Sequence, residues 1–270
     1  MKKQFKLGVI GNNLISQTLI KGAVLSDFLN RKRIIVSGVD DKSANENVEL
    51  GVAVINDNKY VFENSEFLLI AVTAESFKKL SESVGGISQS KIISLSEGIK
   101  KGQIKNIFGT SSVKIARAVA NLPSKIGSGA VGLDMSDFDS SADDLEFISK
   151  LFNCIGTVLS VDESKLDVVT ALSVNGSAYV FMFIDSLIDA GVKHGLKRGE
   201  AEILAAQTML GATELMQREE CSTSKLTMQI CNNDNSALKA VKVLENNKFR
   251  EIIGEAVNES VNYLKESDRQ

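Results

Sequence analysis

The sequence predicts an α/β protein in two parts, a sheet-containing domain over residues 1–160 and an all-helical domain over residues 161–270. Between Phe5 and about Ser160, short β-branched runs alternate with helical patterns, which is typical of a parallel sheet flanked by helices. From about Val161 onwards only helical patterns remain. We therefore expect a single domain boundary near residue 160.

Six apolar runs are the predicted strands of the first part. In chain order they are FKLGVI, RIIVSGV, EFLLIAV, KIISL, VKIARAV and TVLSV, which begin at Phe5, Arg33, Glu66, Lys91, Val113 and Thr157. The second part has predicted helices over roughly Arg198–Glu219, Asn235–Asn246 and Lys248–Lys265.

A polar break interrupts the first helical pattern of the second part. Ser173, Asn175, Gly176 and Ser177 lie between two apolar helical stretches within residues 165–207. A Gly inside a helix costs about 1 kcal/mol of helix stability. Such a cost is often offset by close packing or by a ligand that approaches the backbone. The break therefore indicates either a ligand-binding segment or a plain turn between two helices.

Composition excludes several classes of function. The 31 basic and 34 acidic residues give a net charge of −3, which offers no electrostatic case for nucleic acid or an acidic membrane surface. No window reaches about 18 uninterrupted apolar residues, and the N-terminus does not resemble a signal peptide. Three widely spaced cysteines lack metal-site spacing. We expect a cytoplasmic protein with reduced thiols and no metal site.

The N-terminal segment KLGVIGNNLISQTLIKG reads as strand, tight turn and helix. Gly8 and Gly11 occupy the positions where a dinucleotide-binding fold has its first glycines, which let the strand turn sharply and let backbone amides approach a pyrophosphate. Asn13 replaces a further Gly; Asn tolerates positive φ, but its side chain takes space that phosphate oxygens would use. The alternative is a strand–helix turn without a ligand.

The second predicted strand ends at Val39-Asp40-Asp41. An acidic residue at this place commonly accepts hydrogen bonds from the ribose hydroxyls of NAD and repels the 2′-phosphate of NADP. Lys42 and Ser43 offer an alternative site for that phosphate. The pattern favours NAD over NADP, unless the two acids simply begin a solvated turn.

Several segments occur in an order that resembles the pyrroline-5-carboxylate reductase family. They are KLGVIGNN, FLLIAVTAES, KIISLSEGI, ARAVANLPSKIGSGAVGL, LDVVTALSVNGSAYVF, AAQTMLGA and LENNKFREIIGEAV, and they span nearly the whole chain. The resemblance implies a Rossmann-type dinucleotide-binding domain, a helical domain that interlocks into dimers or larger homo-oligomers, and reduction of a cyclic imine to proline with NADPH or NADH.

The resemblance also assigns the candidate site residues. The cofactor-binding residues implied are Gly8, Gly11, Asn12, Asn13, Leu14, Asp40, Asn58, Ala71, Val72, Thr73 and Ala74. The substrate-binding residues implied are Asn121, Ser173, Asn175 and Asn232, and the catalytic residue implied is Ser236.

The departures from the family pattern put the activity in question. The family's catalytic Thr falls on Ala237, which has no hydroxyl, so Ser236 supplies the donor only if the backbone shifts. Asp234 adds a negative charge where an anionic substrate is expected. A working reductase, a non-catalytic or regulatory paralogue that keeps the dimer, and an NAD-dependent enzyme for another imine or oxo substrate are therefore all open.

Overall fold

A computed structural model describes residues 3–84, 91–219, 221–231 and 235–267. The chain forms two compact units. One comprises Met1–Asn175 with Val261–Gln270, and the other comprises Gly176–Ser260. The division lies inside a helical stretch, because helical backbone continues through Asn175.

The first unit is built on a mixed sheet. Its strands in the described residues are β1 (Phe5–Ile10), β2 (Ile34–Ser37), β3 (Ala53–Val54), β4 (Ser65–Ile70), β5 (Lys91–Ser94), β6 (Ile115–Ala120), β7 (Gly129–Asp134) and β8 (Gly156–Ser160). Their order is β3-β2-β1-β4-β5-β6-β7-β8. All neighbouring pairs are parallel except β6 and β7, which are antiparallel. The predicted α/β class is confirmed, with one antiparallel pair that the sequence pattern did not indicate.

Helices cover both faces of this sheet. They are α1 (Leu14–Leu25), α2 (Asp41–Glu49), α3 (Asn58–Asn64), α4 (Ala74–Val84), α5 (Lys101–Ile107) and α6 (Ala142–Asn153). Successive strand residues point to opposite faces, so Phe67 and Leu69 join a core with α1 and α6. Leu68 and Ile70 join a second core with α3, α4 and α5. Burial on both faces explains why the strands are apolar without alternation.

The predicted polar break is not a turn. A short helix α7 (Leu166–Val169) continues through a π-helical segment, Thr170–Val174, into α8 (Gly176–Lys193). The Asn175 amide donates to the Thr170 carbonyl at 3.0 Å, five residues earlier. The chain thus accommodates the polar residues by widening one helical turn, a feature that is frequent at functional sites.

The remaining helices are α9 (Arg198–Arg218), α10 (Thr223–Ile230), α11 (Ser236–Asn246) and α12 (Phe249–Ser267). Three of them match predicted helices, and α10 was not predicted. The second unit has a small core of its own, formed by Ile188, Ala201 and Ala205 with Ile184 packed against it. Many of its large apolar side chains are exposed in the single chain.

One stretch, Glu163–Lys193, is long and apolar enough to cross a membrane by length and composition alone. The sequence criterion required about 18 uninterrupted apolar residues, and this stretch does not meet it because polar residues interrupt it. A single such helix is a weak indication of a membrane, because the core helix of a soluble protein meets the same criterion.

Candidate active site

A crevice is expected where three strands end side by side. In the sheet, β1 lies between β2 and β4, and all three are parallel. The connections after them therefore meet at one edge, at the point where the strand order reverses. Open α/β sheets bind ligands at this switch point.

Gly11 makes the turn after β1. Its φ is +95°, and a Cβ built on it would lie 2.5 Å from the Ala71 carbonyl oxygen. Its amide donates to the Ser37 carbonyl at 3.0 Å, which ties the turn to the end of β2. Any side chain at this position would clash with the loop after β4, so the sharp turn predicted here requires Gly.

The structure gives Gly8 a different place from the predicted one. Gly8 lies inside β1 and pairs with Ile35 and Leu68 on the neighbouring strands. A Cβ at Gly8 would lie 2.3 Å from Ser65 Oγ and 2.7 Å from Val61 Cγ1. Gly8 therefore allows α3 and β4 to pack closely on the strand; the prediction that it lies in the turn is wrong.

Asn13 does not adopt the positive φ that its type permits. It has extended backbone, with φ −129° and ψ 168°, and is the N-cap of α1. Its Oδ1 accepts from the Ser16 amide at 2.8 Å, and the Asn13 amide donates to Ser16 Oγ at 3.1 Å. The positive φ of this turn belongs to Gly11, so Asn13 is free to serve as a helix cap. Leu14, the first residue of α1, is exposed beside it.

Asp40 caps α2 at the end of the neighbouring strand. Its Oδ1 accepts from the Ser43 amide at 2.8 Å, and its Oδ2 accepts from Asn12 Nδ2 at 2.9 Å. Hydrogen bonds from the amide and hydroxyl of Ser43, helped by Asn12 and by the charge of Lys42, hold the pKa of Asp40 below its ordinary value. The side chain is an exposed, ionised carboxylate whose two oxygens are already oriented.

A chain of amides extends from Asn12 into the protein. Gln17 Nε2 donates to Asn12 Oδ1 at 2.8 Å, and Asn47 Nδ2 donates to Gln17 Oε1 at 3.3 Å. Asn47 is fully buried, and its Nδ2 also donates to the Ser43 carbonyl at 2.8 Å. Sequence reasoning missed Gln17 and Asn47, because no local pattern joins residues from two different helices.

The loop after β4 lies at the same edge of the sheet, where the crevice is expected. The Ala71 amide donates to the Ile10 carbonyl at 2.8 Å, which extends the pairing of β1 and β4. Val72 O accepts from Ser96 Oγ, so the loop is also tied to the segment after β5. Thr73 precedes α4, which begins at Ala74, and the Thr73 carbonyl and hydroxyl accept from the Ser76 amide at 3.0 and 3.3 Å.

Gly38 and Asn58 belong to the same edge. Gly38 has a φ of +69°, and a Cβ there would lie 3.3 Å from the Gly11 amide nitrogen. Asn58, the first residue of α3, accepts through Oδ1 from Ser37 Oγ. Sequence reasoning named Asn58 but missed Gly38, although a Gly at the end of a predicted strand is a signal for a turn.

Asn121 is joined to the π-helical segment. Its Oδ1 accepts from the Ala130 amide at 2.8 Å, and its Nδ2 donates to the Ser173 carbonyl at 3.3 Å. Ser173 Oγ donates to the Val169 carbonyl at 2.7 Å. Asn121 and Ser173, named separately from the sequence, are thus brought together, with Asn175 at the end of the widened turn.

The predicted catalytic segment lies in the second unit. Ser236 is the exposed first residue of α11, and Asn235 is its N-cap through a 2.9 Å bond from the Leu238 amide. Ala237 lines an apolar groove of about 420 Å³ formed by α9, α10 and α11. Asn232 and Asp234 lie outside the described residues. Ser236 therefore exposes its hydroxyl to solvent, whereas Ala237 packs against apolar side chains.

Potential metal ligands and thiols are located in the described part of the chain. It contains no group of three or more His, Cys, Asp or Glu side chains that could hold a metal ion. Cys154, Cys221 and Cys231 are free thiols.

Comparisons with known proteins agree with this architecture. Residues 163–267 match the pyrroline-5-carboxylate reductase dimerisation domain. The chain is 30% identical to the pyrroline-5-carboxylate reductase of Synechocystis sp. over 255 residues, 93% of this chain and 94% of the relative.

Solved structures show the same fold. A pyrroline-5-carboxylate reductase from Coxiella burnetii matches with a TM-score of 0.89 and 26% identity, over 99% of both chains. The Plasmodium falciparum pyrroline carboxylate reductase with NADP bound matches with a TM-score of 0.85 and 23% identity, over 99% of this chain and 100% of that one. The chain therefore belongs to the pyrroline-5-carboxylate reductase family and is a pyrroline-5-carboxylate reductase-like oxidoreductase.

Proposed function

We propose that this protein reduces 1-pyrroline-5-carboxylate, or a closely related cyclic imine, to L-proline with NADPH or NADH. The observation that carries the proposal is the close approach of Gly11, Gly38 and Ala71 after β1, β2 and β4, at the reversal of strand order where a crevice is expected. It occurs in a chain that aligns over 93% of its length with a reductase named for that substrate.

The crevice has the features that a dinucleotide needs. Amides of Leu14 and Ile15 belong to the first turn of α1, where backbone N–H groups lack partners within the helix and favour a phosphate. Gly11 and Gly38 let the turns after β1, β2 and β4 approach one another closely, because a Cβ on either would meet backbone atoms at 2.5 or 3.3 Å. Asn12, Asp40, Asn58 and the loop from Ala71 to Ala74 would hold the rest of the cofactor. When bound, the nicotinamide supplies the hydride for the imine carbon.

The imine must also be oriented and its nitrogen must receive a proton. Asn121, Ser173 and Asn175 are the proposed substrate contacts. Both ends of the Asn121 amide are hydrogen-bonded within the chain, so a substrate would use the second N–H of Nδ2 or the second lone pair of Oδ1. Ser236 is the proposed donor to the nitrogen, and Asn232 would bind the substrate carboxylate.

A non-catalytic or regulatory paralogue is the second candidate. The apolar surroundings of Ala237 favour it, because no hydroxyl is present where the family has its catalytic Thr. Loss of one such donor costs about 10²–10³-fold in rate without abolishing the reaction. The two candidates therefore differ in whether Ser236 replaces that donor.

Turnover of the cyclic imine, followed by the absorbance of the reduced cofactor, separates them. We expect measurable turnover in the wild type, a loss of about 10²-fold in Ser236→Ala, and an increase in Ala237→Thr. Ser236 is exposed, so its variant should fold normally, and circular dichroism provides the control. Wild-type rates in Ser236→Ala would remove Ser236 from the mechanism, and no turnover in any variant would favour the paralogue.

We further propose that the protein is a homodimer or larger homo-oligomer in the cytoplasm. In it, residues 1–160 bind the dinucleotide, and residues 161–270 bind substrate and form the dimer. The match of residues 163–267 to a dimerisation domain supports this division, as do the many exposed apolar side chains of α8 and α9. The three free thiols suit a reducing compartment.

A further inference from the structure

A relay of four side chains connects the buried interior to the open end of β2. We call Asn47, Gln17, Asn12 and Asp40 the amide relay. It begins on α2 at the buried Asn47, passes through Gln17 on α1, and ends where Asn12 meets the exposed Asp40. It therefore joins the turn after β1 to the turn after β2, the two segments that flank a dinucleotide in this fold.

The relay fixes which side of each amide faces its neighbour. Asn47 donates to the main-chain carbonyl of Ser43, which can only accept, so its nitrogen points towards Gln17 Oε1. Gln17 must then present its nitrogen to Asn12 Oδ1. Asn12 in turn presents its nitrogen to Asp40 Oδ2. A buried group thus sets the orientation of an exposed carboxylate by way of two amides.

The same contacts leave few donors for a 2′-phosphate. The Ser43 amide is used by Asp40 Oδ1, and Ser43 Oγ accepts from Asn12 Nδ2 at 3.0 Å. Ser43 is itself buried, so it is not presented to a ligand. Of the two residues that could receive a phosphate here, only Lys42 stays exposed, beside the carboxylate of Asp40.

Asp40 keeps the capacity to bind a ribose hydroxyl. The carboxylate has four lone-pair sites, and the Ser43 amide, the Ser43 hydroxyl and Asn12 Nδ2 use three of them. The remaining lone pair suits a hydroxyl of an unmodified ribose. A 2′-phosphate would instead bring its negative charge against a fixed carboxylate.

From this geometry we propose that the amide relay makes the protein selective for NADH over NADPH, with Asp40 as the contact and Asn12, Gln17 and Asn47 as positioning residues. This proposal rests on the proposed function, because it concerns the cofactor of that same crevice. Gln17 has no other assigned part in binding the cofactor, so an effect of Gln17 on cofactor choice is specific to the relay.

The test compares dissociation constants for NADH and NADPH by isothermal titration calorimetry. We expect wild-type protein to bind NADH about tenfold or more tightly than NADPH. Asp40→Asn keeps a side-chain oxygen for the N-cap of α2 and removes the charge. It should shift the ratio of the two constants towards NADPH by at least about fivefold. Gln17→Leu should shift the ratio in the same direction by about threefold, without contact to the cofactor.

Glu49→Gln is the matched control. Glu49 lies at the other end of α2, is exposed, and carries the same charge, so its loss should leave the ratio of the constants unchanged. Equal affinities in the wild type, or an unchanged ratio in Asp40→Asn, would overturn selectivity by the relay while leaving the proposed function intact. An unchanged ratio in Gln17→Leu would show that Gln17 does not contribute to the selectivity. Failure of both dinucleotides to bind would overturn this inference and the cofactor of the proposed function together.

Discussion

Asn13 Oδ1 accepts a hydrogen bond from the Ser16 amide at 2.8 Å, so the chain itself occupies one N–H group at the start of α1. That amide is one of the donors that a phosphate would use at a helix N-terminus. The cap and a bound pyrophosphate therefore compete for the same place.

Asn13→Gly should consequently tighten dinucleotide binding. The variant frees the Ser16 amide and gives the phosphate more room, at a cost of a few tenths of a kcal/mol in stability because Gly is an acceptable N-cap. We expect the dissociation constant for NADH to fall by about three- to tenfold in calorimetry. Asn13→Ser, which keeps a capping oxygen, is the control and should stay close to the wild type. Weaker binding in Asn13→Gly would show that the Asn13 side chain contributes to the site.

Glu163 should anchor the long helical stretch that carries Ser173 and Asn175. Its Oε1 accepts from Arg117 at 3.0 Å and from the Lys101 amide at 2.8 Å. The Arg117 side chain is only 8% exposed. Removing its partner leaves a buried charge, so Glu163→Ala should lower the free energy of unfolding by about 3 kcal/mol in urea denaturation.

A paired substitution tests whether the uncompensated charge is the cause. Replacing both Arg117 and Glu163 by Leu should restore most of the lost stability, because a buried ion pair can be exchanged for apolar contacts at little cost. Lys165→Ala, which removes an exposed ion pair with Asp162, should change stability by less than about 0.5 kcal/mol. Equal losses in the single and the double variant would contradict this explanation.

Stability should also fall in acid, through Asp137. Burial alone would raise the pKa of Asp137, but hydrogen bonds from Lys105 and the Ile115 amide and the charge of Lys101 bring it below 3.8. A lowered folded-state pKa means that the contribution is present above the unfolded value and is lost as the pH falls through the folded value. The advantage of the wild type over Asp137→Asn should therefore shrink below about pH 4. Urea unfolding at neutral and acid pH measures this difference in the free energy of unfolding. Asp139→Asn is the control, because Asp139 is exposed. A wild-type advantage that does not change with pH would contradict this role of Asp137.

Assembly should depend on the apolar face of the second unit. Met182 on α8 and Ile203 on α9 are each 71% exposed in the single chain. Burial of apolar surface contributes roughly 25 cal/mol per Å² to the free energy of association, so we expect a second copy of the chain to bury these side chains. Light scattering should show a dimer or larger species for the wild type and dissociation for Met182→Asp with Ile203→Asp. Ile126→Asp, at a residue 81% exposed in the first unit, should keep the wild-type mass. A wild-type monomer at micromolar concentration would refute the dimer.

Much of the sheet could be predicted because its strands are buried on both faces and therefore read as apolar runs. The strands that were missed lack this signal. β3 has only two residues, and β7 contains Gly129 and Gly132, which weaken a strand pattern. Gly132 is nevertheless required there, because a Cβ would lie 2.6 Å from Val169 Cγ1. Close packing between distant segments cannot be read from either segment alone.

The site shows the same limit. The turn at Gly11 followed from its motif, since a positive φ is a local property. The backbone conformation of Asn13 was misjudged because it depends on a capping box with Ser16. A capping box usually begins with Ser or Thr, so Asn13 did not suggest one. The bond between Asn12 and Asp40 joins residues 28 positions apart and exists only once β1 and β2 are paired.

Transfer of deuterium from deuterated NADH to proline tests the central claim most directly. The wild-type protein is incubated with 1-pyrroline-5-carboxylate and NADH that carries deuterium on the transferred position, and the product is examined by mass spectrometry. If the crevice and the substrate residues form a working reductase, proline should appear with one deuterium on the former imine carbon. Binding of NADH without any labelled proline would contradict the proposed reaction and favour the non-catalytic paralogue.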